Sequence, residues 1–309
     1  MTVVHACVRD GLGGRDRQDG QDGQDQRGGP DRWGGPDGWG GSPTAVLDDG
    51  PFGENERRRV PGAAGASHAV FVTREGERDG RPAFSLRFFT SEGELPSCGH
   101  GTIAALGFLA ARAATDTYEA SLRVAGRTFA GRAVRKGPYA EADFAYGSVE
   151  LREPTGAESA LVLPALGLDP DALGPGPRVA SVGRPRLLVP VASRSVLAAL
   201  APDMGRLRAA CDRLGLLGCY AYSAPSPSGR LAARMFAPSI GVPEDIANAN
   251  STACLAAHLA GRGIDRIAVD MGDSLGSPAT IGATTQAGPS GPVVRLGGGV
   301  LVRRPGHRP

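Results

Sequence analysis

Residues 88–102 read FFTSEGELPSCGHGT and lead directly into a run with helical spacing of apolar side chains. Two glycines, Gly99 and Gly101, flank His100, so the backbone can approach another segment or a ligand closely. The unpaired N–H groups in the first turn of a helix form an anion-binding site. The stretch therefore predicts a strand, a loop of small residues and a helix N-terminus that holds a carboxylate. The alternative is an ordinary strand-to-helix turn with Thr102 as its cap.

A second stretch repeats this order, because residues 234–252 read RMFAPSIGVPEDIANANST and also end at a predicted helix. Short β-branched or alternating runs surround both stretches and predict strands. The helical spacings predict helices over residues 102–112, 193–200, 204–214 and 252–260. Each half thus runs strands, a small-residue loop, a helix and more strands, which predicts an α+β fold of two similar domains, residues 1–145 and 146–309. The final strand is a candidate to return to the N-terminal domain.

Composition excludes several classes of protein. The chain carries 34 basic and 32 acidic side chains and no basic run, so we expect no nucleic-acid partner. Five scattered cysteines without metal-ligand spacing favour reduced thiols in the cytoplasm and no zinc site. The first ten residues do not resemble a signal peptide, and no long apolar run predicts a membrane span. Residues 14–40 contain only Gly, Asp, Arg, Gln, Pro and Trp, which predicts a disordered insertion.

Several segments, in this order and spacing, resemble the PhzF family of isomerases and epimerases. They are GSPTAV at 41–46, RFFT and ELPSCGH within 87–100, GRPRLLVPVAS at 183–193, RMFAPSIGVPED at 234–245 and GSPATIGA at 276–283. The resemblance implies the two-domain diaminopimelate-epimerase-like fold, with a β-rich barrel around a central helix in each domain and the active site between them. It also implies a homodimer that needs no cofactor and no metal. Relatives of this kind isomerise phenazine precursors or unsaturated alkylproline precursors.

The residues of the family's site carry over only in part. The family's histidine matches His100 and its aspartate matches Asp245. The family's catalytic glutamate, however, falls on His68, in the stretch SHAVFV. Ser42 and Ser277 replace an asparagine and an arginine of the family pattern, and residues 248–251 read NANS in place of its small-residue loop. These departures predict a substrate that differs from the usual one.

Three side chains compete for the role of proton shuttle. An imidazole titrates near neutral pH, so His68 can replace a carboxylate as the base. Cys98 lies where related racemases of this fold carry a catalytic thiol, although the matching position of the second thiol is Asn248. Glu94 precedes a proline and fits a surface turn better. Asp245 is expected to orient the substrate or the base, and not to be the base itself.

The sequence therefore predicts a cofactor-independent isomerase or epimerase acting on a small carboxylate-bearing amino or imino acid, in specialised-metabolite biosynthesis. Two facing helix N-termini would clamp the substrate and favour loss of a C–H proton. The predicted catalytic residues are His68, Asp245, His100 and Cys98, and the predicted substrate-binding residues are Ser42, Gly99, Gly101, Thr102, Asn250, Ser251 and Thr252. The alternatives are a binding protein that holds a pathway intermediate, or a cofactor-free lyase or cyclase on the same fold. We expect no membrane partner.

Overall fold

The computed structural model describes residues 1–9, 40–137, 139–168, 174, 176–288 and 291–302. All but the last residue of the predicted insertion at 14–40 lie outside these described residues, as do Trp33, Trp39 and His307. Nothing further is said of those parts of the chain.

The described chain forms seventeen strands and six α-helices. The first half comprises β1 (Thr2–Val8), β2 (Ser42–Asp48), α1 (Glu54–Ala63), β3 (His68–Arg78), β4 (Arg81–Phe89), β5 (Glu94–Leu95), α2 (Gly99–Arg112), β6 (Thr117–Val124), β7 (Arg127–Lys136) and β8 (Tyr139–Ser148). The second half comprises β9 (Glu150–Arg152), α3 (Gly156–Ala165), β10 (Arg178–Ser181), β11 (Arg186–Val191), α4 (Arg194–Ala199), α5 (Met204–Leu214), β12 (Cys219–Ser223), β13 (Arg230–Ala237), β14 (Val242–Asp245), α6 (Ala249–Ala260), β15 (Arg266–Met271), β16 (Ala279–Gly288) and β17 (Gly291–Val302).

The strands of the first half close into a barrel. Its pairing order is β1, β2, β3, β4, β6, β7, β8 and β17, which returns to β1. The pairs β2–β3 and β4–β6 are parallel, and the others are antiparallel. A parallel pair needs a crossover connection, and α1 and α2 lie in these two crossovers.

The second half repeats this pattern strand for strand. Its order is β10, β11, β12, β13, β15, β16, β17 and β8, and β9, which continues β8, returns to β10. The parallel pairs β11–β12 and β13–β15 stand where β2–β3 and β4–β6 stand in the first barrel. Since β8 and β17 belong to both barrels, the two halves share their central strand pair. The predicted α+β fold with two similar barrel-like halves is confirmed.

Each barrel is filled by one helix. Helix α2 is buried at every position from Gly99 to Ala110, and α6 is buried from Ser251 to Leu259. Both sequences are rich in alanine and have apolar side chains all round the helix, which is the pattern of a buried helix. Both helices begin three residues before the predicted starts at 102 and 252, because their capping residues are Cys98 and Asn248. Within the described chain, no helix has the length and apolar character that crossing a membrane requires.

Glycine at position 107 lets α2 lie close to the strand shared by the two barrels. A Cβ atom there would lie 2.2 Å from Cγ1 of Val300 on β17. We therefore expect Gly107→Ala to lower the free energy of unfolding in urea by about 1–3 kcal/mol, because a packed core resists an added methyl group. In Gly62→Ala, where no atom lies within 4 Å of the new Cβ, stability should hold or rise slightly.

The double variant Gly107→Ala with Val300→Ala tests the cause of this loss. If the methyl groups of Val300 cause the clash, the double variant loses less stability than the sum of the two single variants. Strict additivity would contradict the proposed contact.

Candidate active site

The N-termini of α2 and α6 meet at a cavity of about 510 Å³. Both halves of the chain line it, and its walls include His68, Cys98, His100, Asp245, Asn248 and Asn250. This volume lies in the range of small-molecule sites. The structure thus brings all four predicted catalytic side chains together in one cavity.

The two helix ends lie so close that only glycine fits at position 99. A Cβ atom there would lie 2.6 Å from Cβ of Ala249 and 2.9 Å from Oδ1 of Asn250. Both distances are shorter than ordinary carbon contacts. The partial positive charges of two helix N-termini therefore face the same small volume.

The two helix starts have the same capping arrangement. Sγ of Cys98 accepts a hydrogen bond from the N–H of Gly101 at 3.4 Å, and Oδ1 of Asn248 accepts one from the N–H of Ser251 at 2.9 Å. Cys98 and Asn248 therefore hold equivalent positions, and both act as N-caps. The thiol that a symmetrical two-cysteine racemase needs is here an asparagine whose oxygen is already engaged.

Only some of the backbone N–H groups predicted to bind an anion are free to do so. The N–H groups of Thr102 and Thr252 donate to the carbonyl oxygens of Cys98 and Asn248, at 2.9 Å and 3.0 Å. With Gly101 and Ser251 engaged by the caps, four of the predicted N–H donors already have acceptors. At the two helix N-termini, the described structure shows no acceptor for the N–H groups of Gly99, His100, Ala249 and Asn250, all of which belong to residues that line the cavity.

His68 and His100 lie edge to face beside these helix ends. Their ring centroids are 4.4 Å apart and their planes are inclined by 83°. Nδ1 of His68 lies 2.8 Å from Oγ of Ser67. When Nδ1 donates to that hydroxyl, Nε2 keeps a lone pair and can accept a proton. A ring nitrogen of His100 lies 3.5 Å from Sγ of Cys98.

The two imidazoles carry different charges at neutral pH. Burial, followed by the charge on His100, lowers the pKa of His68 well below 6.5, so this ring is neutral. Burial alone would also lower the pKa of His100, but Cys98, Asp245 and the backbone at Ala247 outweigh it and raise that pKa to about 9. The site therefore pairs a neutral base with a cationic acid.

Asp245 is held in place by its surroundings. Oδ2 accepts a hydrogen bond from Nδ2 of Asn248 at 2.9 Å. Burial raises the pKa of this carboxyl group, while His100, Asn248 and the backbone at Ala247 and Ile246 oppose the rise. Asp245 therefore stabilises the charge on His100 and fixes the cap residue Asn248.

The remaining predicted residues lie around the cavity in different ways. Glu94 lines it but is paired with Arg87, whose Nε lies 2.8 Å from Oε1. This hydrogen bond lowers the pKa of Glu94 and keeps it ionised. Ser42 is buried and does not line the cavity, and Oγ of Ser277 donates to the carbonyl oxygen of Gly41 at 2.8 Å. The two Gly-Ser-Pro segments, residues 41–43 and 276–278, are therefore in contact with each other.

Sequence reasoning missed the arginines of the site, namely Arg127, Arg184 and Arg186, and also Tyr146. A signal was present for Arg186, because it opens β11, RLLVPV, in which every residue is buried. A charged side chain in such a strand needs a partner.

One group of side chains could also hold a metal ion. The donor atoms of His68, Cys98 and His100 lie within 4.8 Å of one another. Two imidazoles and a thiolate suit zinc. The predicted absence of a metal stays a prediction, and a chelator control tests it below.

The chain is similar in sequence and in fold to several known proteins. The model of the phenazine biosynthesis-like protein family (PhzC-PhzF) matches residues 38–304, and the chain belongs to that family. An uncharacterized isomerase of Deinococcus radiodurans is 32% identical, over 85% of this chain and 88% of its own. A trans-2,3-dihydro-3-hydroxyanthranilate isomerase of Pseudomonas fluorescens is 31% identical, over 67% of this chain and 70% of its own. A solved structure of a predicted epimerase of Pseudomonas aeruginosa is 27% identical in sequence, with a TM-score of 0.70, and the match covers 86% of this chain and 92% of that one.

The contact between the helix ends can be tested at position 99. We expect Gly99→Ala to lower the free energy of unfolding by about 1–3 kcal/mol and to weaken binding of small carboxylates, because the new methyl group pushes α6 away. Gly156 is the matched control, since it also opens a helix but has no atom within 4 Å of a new Cβ. Equal effects of Gly99→Ala and Gly156→Ala on stability would contradict the close contact.

Proposed function

We propose that this isomerase or epimerase moves a proton on a small amino or imino acid whose carboxylate binds at the facing N-termini of α2 and α6. The observation that carries the proposal is the pair His68 and His100, one neutral and one cationic, with ring centroids 4.4 Å apart in that cavity. General acid–base catalysis needs such a pair with different pKa values.

The free N–H groups of Gly99, His100, Ala249 and Asn250 donate hydrogen bonds to the substrate carboxylate. Their dipoles stabilise the negative charge that spreads onto the carboxylate when the adjacent C–H bond breaks. Nε2 of His68 takes the proton, and the electron pair of the C–H bond enters the conjugated system of the substrate. A proton then returns from His68 or His100 to another carbon, or to the other face of the same carbon, so product and substrate have the same mass.

Cys98 has a supporting role in this scheme. Its sulfur caps α2 and lies 3.5 Å from a ring nitrogen of His100, and Cys98 is one of the groups that raise the pKa of His100. The alternative, in which Cys98 is itself the shuttle, is separated from this one by the variants below.

The finer features of the function are also proposals. One relative is named as a trans-2,3-dihydro-3-hydroxyanthranilate isomerase, which supports our expectation of a double-bond isomerase of specialised-metabolite biosynthesis. The substitution of His68 for the family's glutamate supports a substrate other than that one. All five cysteines are buried and unpaired, which suits the reducing cytoplasm. We expect a homodimer, as the family resemblance implies.

The first experiment is deuterium incorporation from D2O into small cyclic and unsaturated amino acids. We expect the wild-type protein to exchange a carbon-bound hydrogen, and His68→Gln to lose at least about 100-fold in rate, the usual contribution of a positioned base. His258→Gln is the matched control, because His258 is also buried but does not line the cavity. Each protein is assayed before and after treatment with a chelator.

Each outcome assigns the chemistry. Exchange that survives chelation and is lost only in His68→Gln supports the proposal. Loss only in Cys98→Ser moves the chemistry to the thiol, since serine keeps the cap and removes the sulfur. Loss on chelation contradicts a metal-free mechanism. Binding without exchange supports the binding-protein alternative, and a product of lower mass supports the lyase.

The pH dependence of exchange follows from the two histidines. His68 must be neutral, and its pKa lies well below 6.5, so the rate should stay level from pH 8 down to 6.5. His100 must be protonated, and its pKa is about 9, so the rate should fall about tenfold per pH unit above that value. In Cys98→Ser the basic limb should move to lower pH, because Cys98 is one of the groups that raise the pKa of His100. A limb near pH 6.5 in the wild type would contradict these assignments.

A further inference from the structure

Arg186 is the only arginine or lysine among the described residues that is fully buried, with 2% of its surface exposed. It opens β11 and lines the cavity opposite no acidic partner. Its Nη1 donates to Oγ of Ser251 at 3.4 Å and its Nη2 to the carbonyl oxygen of Arg184 at 2.8 Å. Its Nε is buried and has no acceptor in the described structure.

Without a ligand, the burial of this unpaired charge raises the free energy of the folded protein. A buried charge is normally paired, because the loss of hydration is energetically unfavourable. Two buried carboxylates of the described chain follow the rule: Asp270 pairs with Arg194 and Arg230, and Glu158 pairs with Arg152. The guanidinium of Arg186 is always charged, so it cannot escape the cost by losing a proton.

The side chains around Arg186 do not supply a negative charge. Burial raises the pKa of Tyr146 to about 12 and also raises the pKa values of Tyr220 and Cys254, although Arg186 opposes each rise. All three therefore stay protonated and neutral near pH 7. The charge of Arg186 is left for a ligand in the cavity.

Two more arginines line the cavity wall, and unlike Arg186 both are exposed. Nη2 of Arg127 donates to the carbonyl oxygen of Tyr146 at 3.4 Å, and Nη2 of Arg184 donates to that of Leu216 at 3.0 Å. Neither has a carboxylate partner in the described structure. The acidic groups of the wall are Glu94, neutralised by Arg87, and Asp245, engaged with Asn248. The cavity therefore keeps an excess of positive charge.

We propose that Arg186, with Arg127 and Arg184 in the same cavity, binds a second carboxylate of the substrate, so that the substrate is a dicarboxylic amino or imino acid. This inference rests on the proposed function, in which the first carboxylate binds at the helix N-termini. A guanidinium matches the planar carboxylate with two parallel hydrogen bonds, which explains why arginine and not lysine stands there.

Direct binding of unreactive probes tests this inference without relying on turnover. Calorimetry at constant ionic strength compares unbranched dicarboxylates from malonate to pimelate with monocarboxylates of the same length and with inorganic phosphate. We expect the best dicarboxylate to bind the wild-type protein about 10–100-fold more tightly than its monocarboxylate partner, as for hydrogen bonds to a charged group.

Two variants locate the second carboxylate. Arg186→Met keeps an unbranched side chain and removes its charge. This variant should bind dicarboxylates no better than monocarboxylates. Arg186→Lys should retain part of the preference. Arg112→Met is the control, because it makes the same change in net charge at an exposed arginine outside the cavity. It should bind the probes like the wild type.

The melting temperature without ligand separates binding from a structural role. Removal of an unpaired buried charge should leave the melting temperature of Arg186→Met unchanged or raise it, whereas loss of a structural arginine should lower it. Equal wild-type affinity for dicarboxylates and monocarboxylates, or no binding of either, would overturn the inference. Tighter binding of phosphate than of any dicarboxylate, lost in Arg186→Met, would overturn the carboxylate assignment. A dicarboxylate preference without deuterium exchange would leave this site standing and contradict only the proposed activity.

Discussion

The close contact between the N-termini of α2 and α6 is the constraint on which the site depends. Each helix presents the positive end of its dipole, and the contact at Gly99 brings both ends to one small volume. Like charges repel, so this arrangement is least stable when the cavity holds no anion. The fold tolerates it because α2 and α6 fill the two barrels and cannot withdraw without unpacking them. This geometry therefore favours an anion in the cavity.

The shared strands explain why the two halves keep this geometry. Strands β8 and β17 pair with each other from Val293 to Leu301 and contribute to both barrels. The halves are therefore joined by continuous backbone hydrogen bonds, and not by side-chain contacts alone. A site on such a frame can hold Asp245 of the second half in a fixed position relative to His100 of the first half, whose pKa it raises.

The fold and the centre of the site could be predicted from the sequence, but part of the cavity wall could not. Two stretches ending in CGHGT and ANANST predicted both central helices, because small residues and helical spacing are local signals. Helix α3 is absent from the predicted helices although Thr155 and Glu158 form a capping box before an apolar run, and the proline inside it, Pro164, weakens the helical signal of its sequence. Arg186 was missed because its burial results from strands and helices far apart in the chain. The engaged N–H groups at Gly101 and Ser251 likewise depend on side-chain caps that spacing alone does not show.

The exchange of glutamate for His68 and the presence of Arg186 have one electrostatic consequence. In the family pattern the base is a carboxylate, which brings a negative charge next to His100. Here a neutral imidazole, His68, stands at that position, so the cavity lacks that charge, while three arginines add positive charge without carboxylate partners in the described structure. Both features make the net charge of the cavity more positive. A substrate with one more negative charge than a simple amino acid restores that balance, and this links the altered base to an altered substrate.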